Sequence, residues 1–245
     1  MNRFSEIAEK ARLIASLPAG PVARRFTCER CDVELAENRC VCGPCYQAQQ
    51  LERQASVLTT ARESIPAKFR WARLHSPDFA KRVAGSDKVI EAARDALVGK
   101  TPVVTIVGAS GSGKTSLACA MLADVIEAGA FPTCDAKTLQ RARYGLFVDA
   151  QQLALSRKEH RLGLGAPDNV LRARRASVLV IDELGREDKT TLDVAKIVHE
   201  REAACKLTIV TTWLDEAGVL SAYDGGLARR LFRKSILFKL GGGKS

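Results

Sequence analysis

Long apolar segments are absent from this sequence. No apolar run approaches the ~18 consecutive residues of a membrane-spanning helix, and residues 1–6 lack the apolar core of a signal peptide. We therefore expect a cytoplasmic protein without a membrane partner. Disulfides are rare in that compartment, so the eight cysteines of the 245-residue chain are expected to be buried or to bind metal.

Acidic residues are too few to balance the basic ones. The chain has 28 Asp and Glu against 38 Lys and Arg, a formal net charge of +10. This excess favours a polyanionic partner, because neutralising phosphates releases counterions. Between residues 141 and 175 the bases greatly outnumber the acids, and they form either a solvated face or, as we favour, a track for nucleic-acid phosphates. These bases are Arg141, Arg143, Arg157, Lys158, Arg161, Arg172, Arg174 and Arg175.

Five cysteines lie close together near the N-terminus, and two C-x-x-C pairs among them predict a zinc site. The symmetrical choice of ligands is Cys28, Cys31, Cys42 and Cys45. Cys40 is either a spare thiol or a replacement for Cys42. A free-thiol or redox cluster and an iron–sulfur cluster are the less favoured alternatives. We expect a structural zinc ion, because so small a segment has too little core to fold alone.

A glycine-rich stretch in the middle of the chain fits the phosphate-binding pattern G-x-x-x-x-G-K-[ST]. It consists of Gly108, Ala109, Ser110, Gly111, Ser112, Gly113, Lys114 and Thr115. Residues 102–107 read as a buried strand, and residues 116–127 read as a helix. We therefore predict an ATP site with Ser116 at its end, in which Lys114 reaches the β- and γ-phosphates and Thr115 ligates Mg²⁺.

A second motif ends the apolar strand predicted at residues 177–183. Asp182 and Glu183 close this strand, and at the edge of a parallel sheet they face the phosphate site. Asp182 is predicted to hold Mg²⁺, and Glu183 is predicted to polarise the attacking water. Another buried strand, at residues 206–212, ends in hydroxyls near the γ-phosphate position, and we assign Thr212 to the nucleotide site.

The remaining pattern divides the chain at residue 64. Residues 1–64 comprise an amphipathic helix at 2–16, the cysteine module and a helix at 46–63. The first helix either packs on its own domain or docks on a partner, with no preference between the two. Residues 65–245 read as an α/β domain whose sheet is parallel, with a lead-in helix at 86–98.

These motifs resemble the AAA+ ATPases, and within them the bacterial helicase loaders of the DnaC/DnaI type and the related IstB-type transposition helpers. The lead-in at residues 65–70, the P-loop and the Ile181-Asp182-Glu183-Leu184-Gly185 stretch carry the resemblance. Thr211-Thr212-Trp213 falls where sensor 1 is expected, although the family usually has Asn where Trp213 stands. The resemblance therefore implies that the polar contact to the γ-phosphate comes from Thr211 or Thr212, or is weakened.

The resemblance implies a P-loop AAA+ core without a C-terminal helical lid. It implies self-association through the ATP site, with Arg230 of a neighbouring subunit as arginine finger. It also implies a helicase loader that binds a replicative DNA helicase and single-stranded DNA during replication initiation. The alternative is an IstB-like ATPase that binds duplex DNA and assists a transposase. The zinc module favours the loader.

Overall fold

A computed structural model describes residues 26–35, 41–82, 86–98, 101–128, 145–160, 166–186 and 193–241. The chain divides into two compact units, a smaller unit Met1–Glu52 and a larger unit Arg53–Ser245. The division falls within a helix, 12 residues before the boundary predicted at residue 64, which stays a prediction. The amphipathic helix predicted at residues 2–16 lies outside the described residues.

The smaller unit contains a short antiparallel hairpin and the start of a long helix. Strands β1 (Phe26–Thr27) and β2 (Glu34–Leu35) pair with Phe26 opposite Leu35. Helix α1 (Gly43–Ser64) begins in this unit directly after Cys42 and continues into the larger unit. Arg30, between β1 and β2, forms an ion pair with Glu52 of this helix, and its Nη2 lies 2.9 Å from Glu52 Oε1.

The larger unit is built on five parallel strands in the order β4-β5-β6-β3-β7. They are β3 (Val103–Gly108), β4 (Gly145–Asp149), β5 (Val178–Leu184), β6 (Leu207–Thr212) and β7 (Ile236–Leu240). The strand that enters the P-loop therefore lies between β6 and β7. The α/β class with a parallel sheet is confirmed.

Helices surround this sheet, and a 3₁₀ turn at Ala67–Phe69 leads into the unit. The helices are α2 (Pro77–Arg82), α3 (Ser86–Val98), α4 (Lys114–Ala128), α5 (Ala150–Glu159), α6 (Asp168–Arg175), α7 (Asp193–Ala203), α8 (Glu216–Ala222) and α9 (Gly225–Phe232). Among the described residues no helix follows β7, and none is both long enough and apolar enough to cross a membrane.

The core lies on both faces of the sheet, because successive strand residues point to opposite faces. Val178 and Val180 pack in one cluster with the buried side of α4. Leu179 and Ile181 pack in a second cluster with helices α5 to α7. This double burial explains why the central strands read as continuous apolar runs rather than alternating ones. Because β3, β5 and β6 are parallel, their carboxyl ends lie at the same edge of the sheet.

Candidate nucleotide site and cysteine cluster

The P-loop connects β3 directly to the N-terminus of α4. Gly111 and Gly113 adopt φ values of 75° and 90°, a left-handed conformation that favours glycine. Helix α4 begins at Lys114, so the free N–H groups of its first turn face the loop. The Lys114 Nζ donates to Ala109 O at 2.8 Å. The loop thus has the form of an anion site, with glycine backbone, helix N-terminus and a lysine together.

Gly108 explains how the loop is anchored to the sheet. A Cβ added at this position would lie 2.5 Å from the backbone oxygen of Leu240 and 2.6 Å from Ser112 Oγ. Only glycine lets β3 pass this close to the end of β7. Ser112 is 6% exposed, so its side chain fills the space under the loop.

A β-bulge places the two carboxylates at the end of β5. Ile181 pairs with Val210 and Leu184 pairs with Thr212, so Asp182 and Glu183 together oppose the single residue Thr211. Glu183 takes a φ of 57° within the bulge. This strained backbone re-aims both side chains towards the P-loop. The sequence pattern predicted the strand and its acids, but nothing in it indicated the bulge.

Hydroxyl groups connect this bulge to the P-loop. Thr211 Oγ1 donates to Asp182 Oδ1 at 2.5 Å and accepts from the Glu183 backbone N–H at 2.9 Å. From the other side, Thr115 Oγ1 donates to Asp182 Oδ1 at 3.0 Å. The Thr115 hydroxyl and the Asp182 carboxylate are oxygen ligands of the kind that Mg²⁺ prefers, so the donor set fits that ion.

Burial shifts the ionisation of the two main charged groups. It raises the pKa of Asp182 above the usual range, while hydrogen bonds from Thr211 and Thr115 oppose the shift. Burial likewise lowers the pKa of Lys114, and the charges of Asp182 and Glu183 oppose that change. A divalent cation and an anionic phosphate would each compensate one of these two charges.

Glu183 and Arg186 form an ion pair beside this network. Arg186 Nη1 donates to Glu183 Oε2, and the side chains are 61% and 38% exposed. Two adjacent cavities meet at the pair. One, of about 430 Å³, is lined by the P-loop and Trp213, and the other extends over Asp182 and Asp149. Sequence reasoning missed Arg186, because nothing in its position predicts a contact with Glu183.

The two hydroxyl groups at the end of β6 have different hydrogen-bond partners. Thr211 contacts Asp182, whereas Thr212 Oγ1 donates to Leu184 O at 2.8 Å and accepts from Leu214 N at 3.0 Å. A nucleotide contact from Thr212 stays a prediction. Trp213 is 57% exposed and lines the P-loop cavity. The aromatic side chain thus forms part of the wall of this cavity.

Arg230 lies on α9 within a cluster of its own chain. Its Nε donates to Glu202 Oε2 at 2.5 Å, and its Nη2 contacts His199 Nδ1. The neighbouring Arg229 is exposed. An arginine finger at Arg230 therefore stays a prediction, and it requires release from Glu202.

The four chosen cysteines converge in the smaller unit. The Sγ atoms of Cys28, Cys31, Cys42 and Cys45 all lie within 4.8 Å of one another, with 3.6 Å between Cys31 and Cys42. A tetrahedral zinc thiolate site with Zn–S bonds of ~2.3 Å separates sulfurs by about 3.8 Å, so the cluster fits zinc. Cys40 lies outside the described residues.

Backbone turns organise these cysteines. Asp32 N donates to Cys28 O at 2.9 Å, and Cys28 N donates to Val33 O at 2.9 Å, which closes the first C-x-x-C pair. Backbone N–H groups of Cys42 and Arg30 lower the pKa of the Cys28 thiol to about 6. The thiolate, the form that binds metal, is thereby favoured.

The described part of the basic region lies on α6. Arg174 Nε pairs with Glu200 Oε2 at 2.9 Å, while Arg175 is exposed. Arg141, Arg143 and Arg161 lie outside the described residues, and the side chains of Arg157 and Lys158 are not described. A nucleic-acid track along this region therefore stays a prediction.

The P-loop and the sheet of five parallel strands match the P-loop AAA+ fold. Comparison with known proteins agrees, although no family model and no curated protein matches the chain. The fold is similar to that of DnaI, with a TM-score of 0.55 and 17% identity over 74% of this chain and 97% of that chain. It is similar to the DnaC helicase loader, with a TM-score of 0.53 and 20% identity over 71% of this chain and 99% of that chain.

A structure of the replication initiator DnaA bound to AMPPCP and single-stranded DNA is also similar. Its TM-score is 0.52 at 18% identity, over 72% of this chain and 50% of that chain, so this match spans half of the DnaA chain. Identities this low establish the fold alone. The resemblance to AAA+ loaders and initiators is therefore confirmed at the level of the fold.

Proposed function

We propose that this chain binds and hydrolyses ATP at the P-loop. The observation that carries the proposal is the bulge in β5, which brings Asp182 within hydrogen-bond distance of Thr115 at the start of α4. A chance glycine-rich turn has no reason to be paired with a buried carboxylate across 67 residues of sequence. The ATP analogue in the similar DnaA structure gives further support.

Each group has a distinct role in this proposal. Lys114 would leave Ala109 O for the β- and γ-phosphates, and the glycine N–H groups would bind phosphate oxygens. Thr115 and Asp182 would hold Mg²⁺, which neutralises phosphate charge when bound. Glu183 would accept a hydrogen bond from the attacking water and orient it.

We further propose that ATP binding serves the loading of a replicative DNA helicase onto single-stranded DNA. The fold matches the DnaC helicase loader over almost the whole of that chain. The net charge of +10 suits a nucleic-acid partner. The cysteine module, together with residues 2–16, would bind the helicase, and zinc would stabilise that module.

In the same proposal, copies of this chain associate through the ATP site. Arg230 of one copy would reach the γ-phosphate bound by its neighbour, at the cost of its pairing with Glu202. A finger of this kind contributes ~10³-fold or more to the rate. Hydrolysis would therefore depend on assembly.

The test is size-exclusion chromatography with light scattering of the full chain and the replicative helicase, with and without ATP. We expect a stoichiometric complex with the helicase that binds single-stranded DNA in preference to duplex DNA. In the Lys114→Ala variant, ATP should no longer affect formation of this complex. Failure to bind the helicase, with ATP-dependent filaments on duplex DNA instead, would contradict the loader and support the IstB-like alternative.

A further inference from the structure

Arg186 pairs with the carboxylate of Glu183, which is the group that the proposed reaction needs to orient water. A carboxylate that accepts from a guanidinium has fewer lone pairs available to orient a water molecule. Glu183 must therefore leave Arg186, at least in part, before it acts on the attacking water. This inference rests on the proposed ATPase activity.

Backbone contacts confine the change to side chains. The Glu183 N–H is held by Thr211 Oγ1 at 2.9 Å, and Arg186 N donates to Glu183 O at 3.2 Å. Gly185 adopts a φ of 104°, and a Cβ there would lie 2.6 Å from Leu214 Cδ1. The turn is thus fixed, and the two side chains are the parts free to separate.

The surrounding charges keep Arg186 at this place. Its guanidinium has Glu183 as hydrogen-bond partner, and that bond is the main cause of its raised pKa, with Asp149 and Asp182 as weaker contributors. Glu183 and Arg186 both line the P-loop cavity and the cavity over Asp182. Arg186 therefore lies where it competes with water for the Glu183 carboxylate.

We propose that Arg186 is a positioning residue that holds Glu183 in an unproductive position and thereby limits basal ATP turnover. Exposed ion pairs shift an equilibrium only by about two- to fivefold. Arg186→Ala should accordingly raise kcat by about two- to fivefold, within the range of such pairs. KM should change much less, because the restraint acts on Glu183 rather than on phosphate binding. Arg186→Lys should keep part of the restraint on Glu183, so its kcat should lie between those of the wild type and Arg186→Ala.

The matched control is Arg233→Ala. Arg233 pairs with Glu216 at 2.7 Å, with side-chain exposures of 72% and 42%, and Arg233 does not line either cavity. Steady-state phosphate release with Mg²⁺ is measured for the wild-type full chain and for the three variants at one protein concentration. Arg233→Ala should keep the wild-type kcat.

The outcomes separate this inference from the function on which it rests. A kcat of Arg186→Ala at or below the wild-type value would overturn the restraint, and so would an effect confined to KM, which would assign Arg186 to phosphate binding. Glu183→Gln in the Arg186→Ala background should abolish the gain. If Glu183→Gln leaves wild-type turnover unchanged, the proposed role of Glu183 itself fails.

Discussion

Replacing Thr211 with valine should destabilise the larger unit, because one hydroxyl serves both residues of the bulge. The substitution keeps the β-branched shape but removes the 2.5 Å bond to Asp182 and the acceptor of the Glu183 N–H. A hydrogen bond to a charged group contributes about 1.5–3 kcal/mol, and an unsatisfied buried donor costs about 1–3 kcal/mol. The Glu183 N–H is only partly buried, so we expect a loss of about 2–4 kcal/mol.

The control is Thr105→Val in the neighbouring strand β3. Thr105 is also fully buried, but its hydroxyl has no hydrogen-bond partner in the described structure. Replacing an unpaired buried hydroxyl with a methyl group removes a desolvation cost. Thr105→Val should therefore be at least as stable as the wild type.

Urea unfolding without nucleotide, followed by tryptophan fluorescence, measures both variants. Trp71 and Trp213 are the two tryptophans of the chain, and both belong to the larger unit, so the signal reports that unit alone. With an m-value of about 3 kcal/mol/M, the midpoint of Thr211→Val should fall by ~1 M. Equal midpoints for Thr211→Val and Thr105→Val would refute the assigned hydrogen bonds.

Two further predictions concern the metal sites. Burial raises the pKa of Asp182, so above this pKa the ionised carboxylate destabilises the nucleotide-free unit, and the destabilisation is lost as the pH falls through the pKa. Without Mg²⁺, Asp182→Asn should therefore raise the urea midpoint at neutral pH and make the midpoint depend less on pH. The same variant should lose Mg²⁺-dependent ATP hydrolysis, and a lower midpoint would contradict this reasoning. The purified chain should contain close to one zinc by elemental analysis, and Cys28→Ser should lose it while Cys205→Ser keeps it; a folded smaller unit without metal would exclude the zinc site.

Local patterns predicted the parts of the site that are contiguous in sequence. The strand, glycine loop and helix around Lys114 follow one another along the chain, so residue types alone determine them. The same holds for the apolar strand that carries Asp182 and Glu183 near its end, and for the two C-x-x-C pairs. For the P-loop and for the C-x-x-C pairs, a short stretch contains both the ligand atoms and the turn that presents them.

Contacts between distant strands and helices could not be predicted in this way. The bulge at Glu183 exists because Thr211, 28 residues later, opposes two residues of β5. The pairing of Arg230 with Glu202 also spans 28 residues and appears only when α9 packs near α7. Arg186 is close to Glu183 in sequence, but its contact depends on the turn that the bulge creates.

The most direct test of the account is ATP turnover by Glu183→Gln compared with the wild type, together with binding of a fluorescent ATP analogue. Glutamine keeps the size of the side chain but removes the charge that orients and polarises water. The account predicts unchanged binding and a loss of at least ~10²-fold in turnover, the contribution expected of a general base. Turnover equal to that of the wild type would contradict the central claim that this cavity hydrolyses ATP through Glu183.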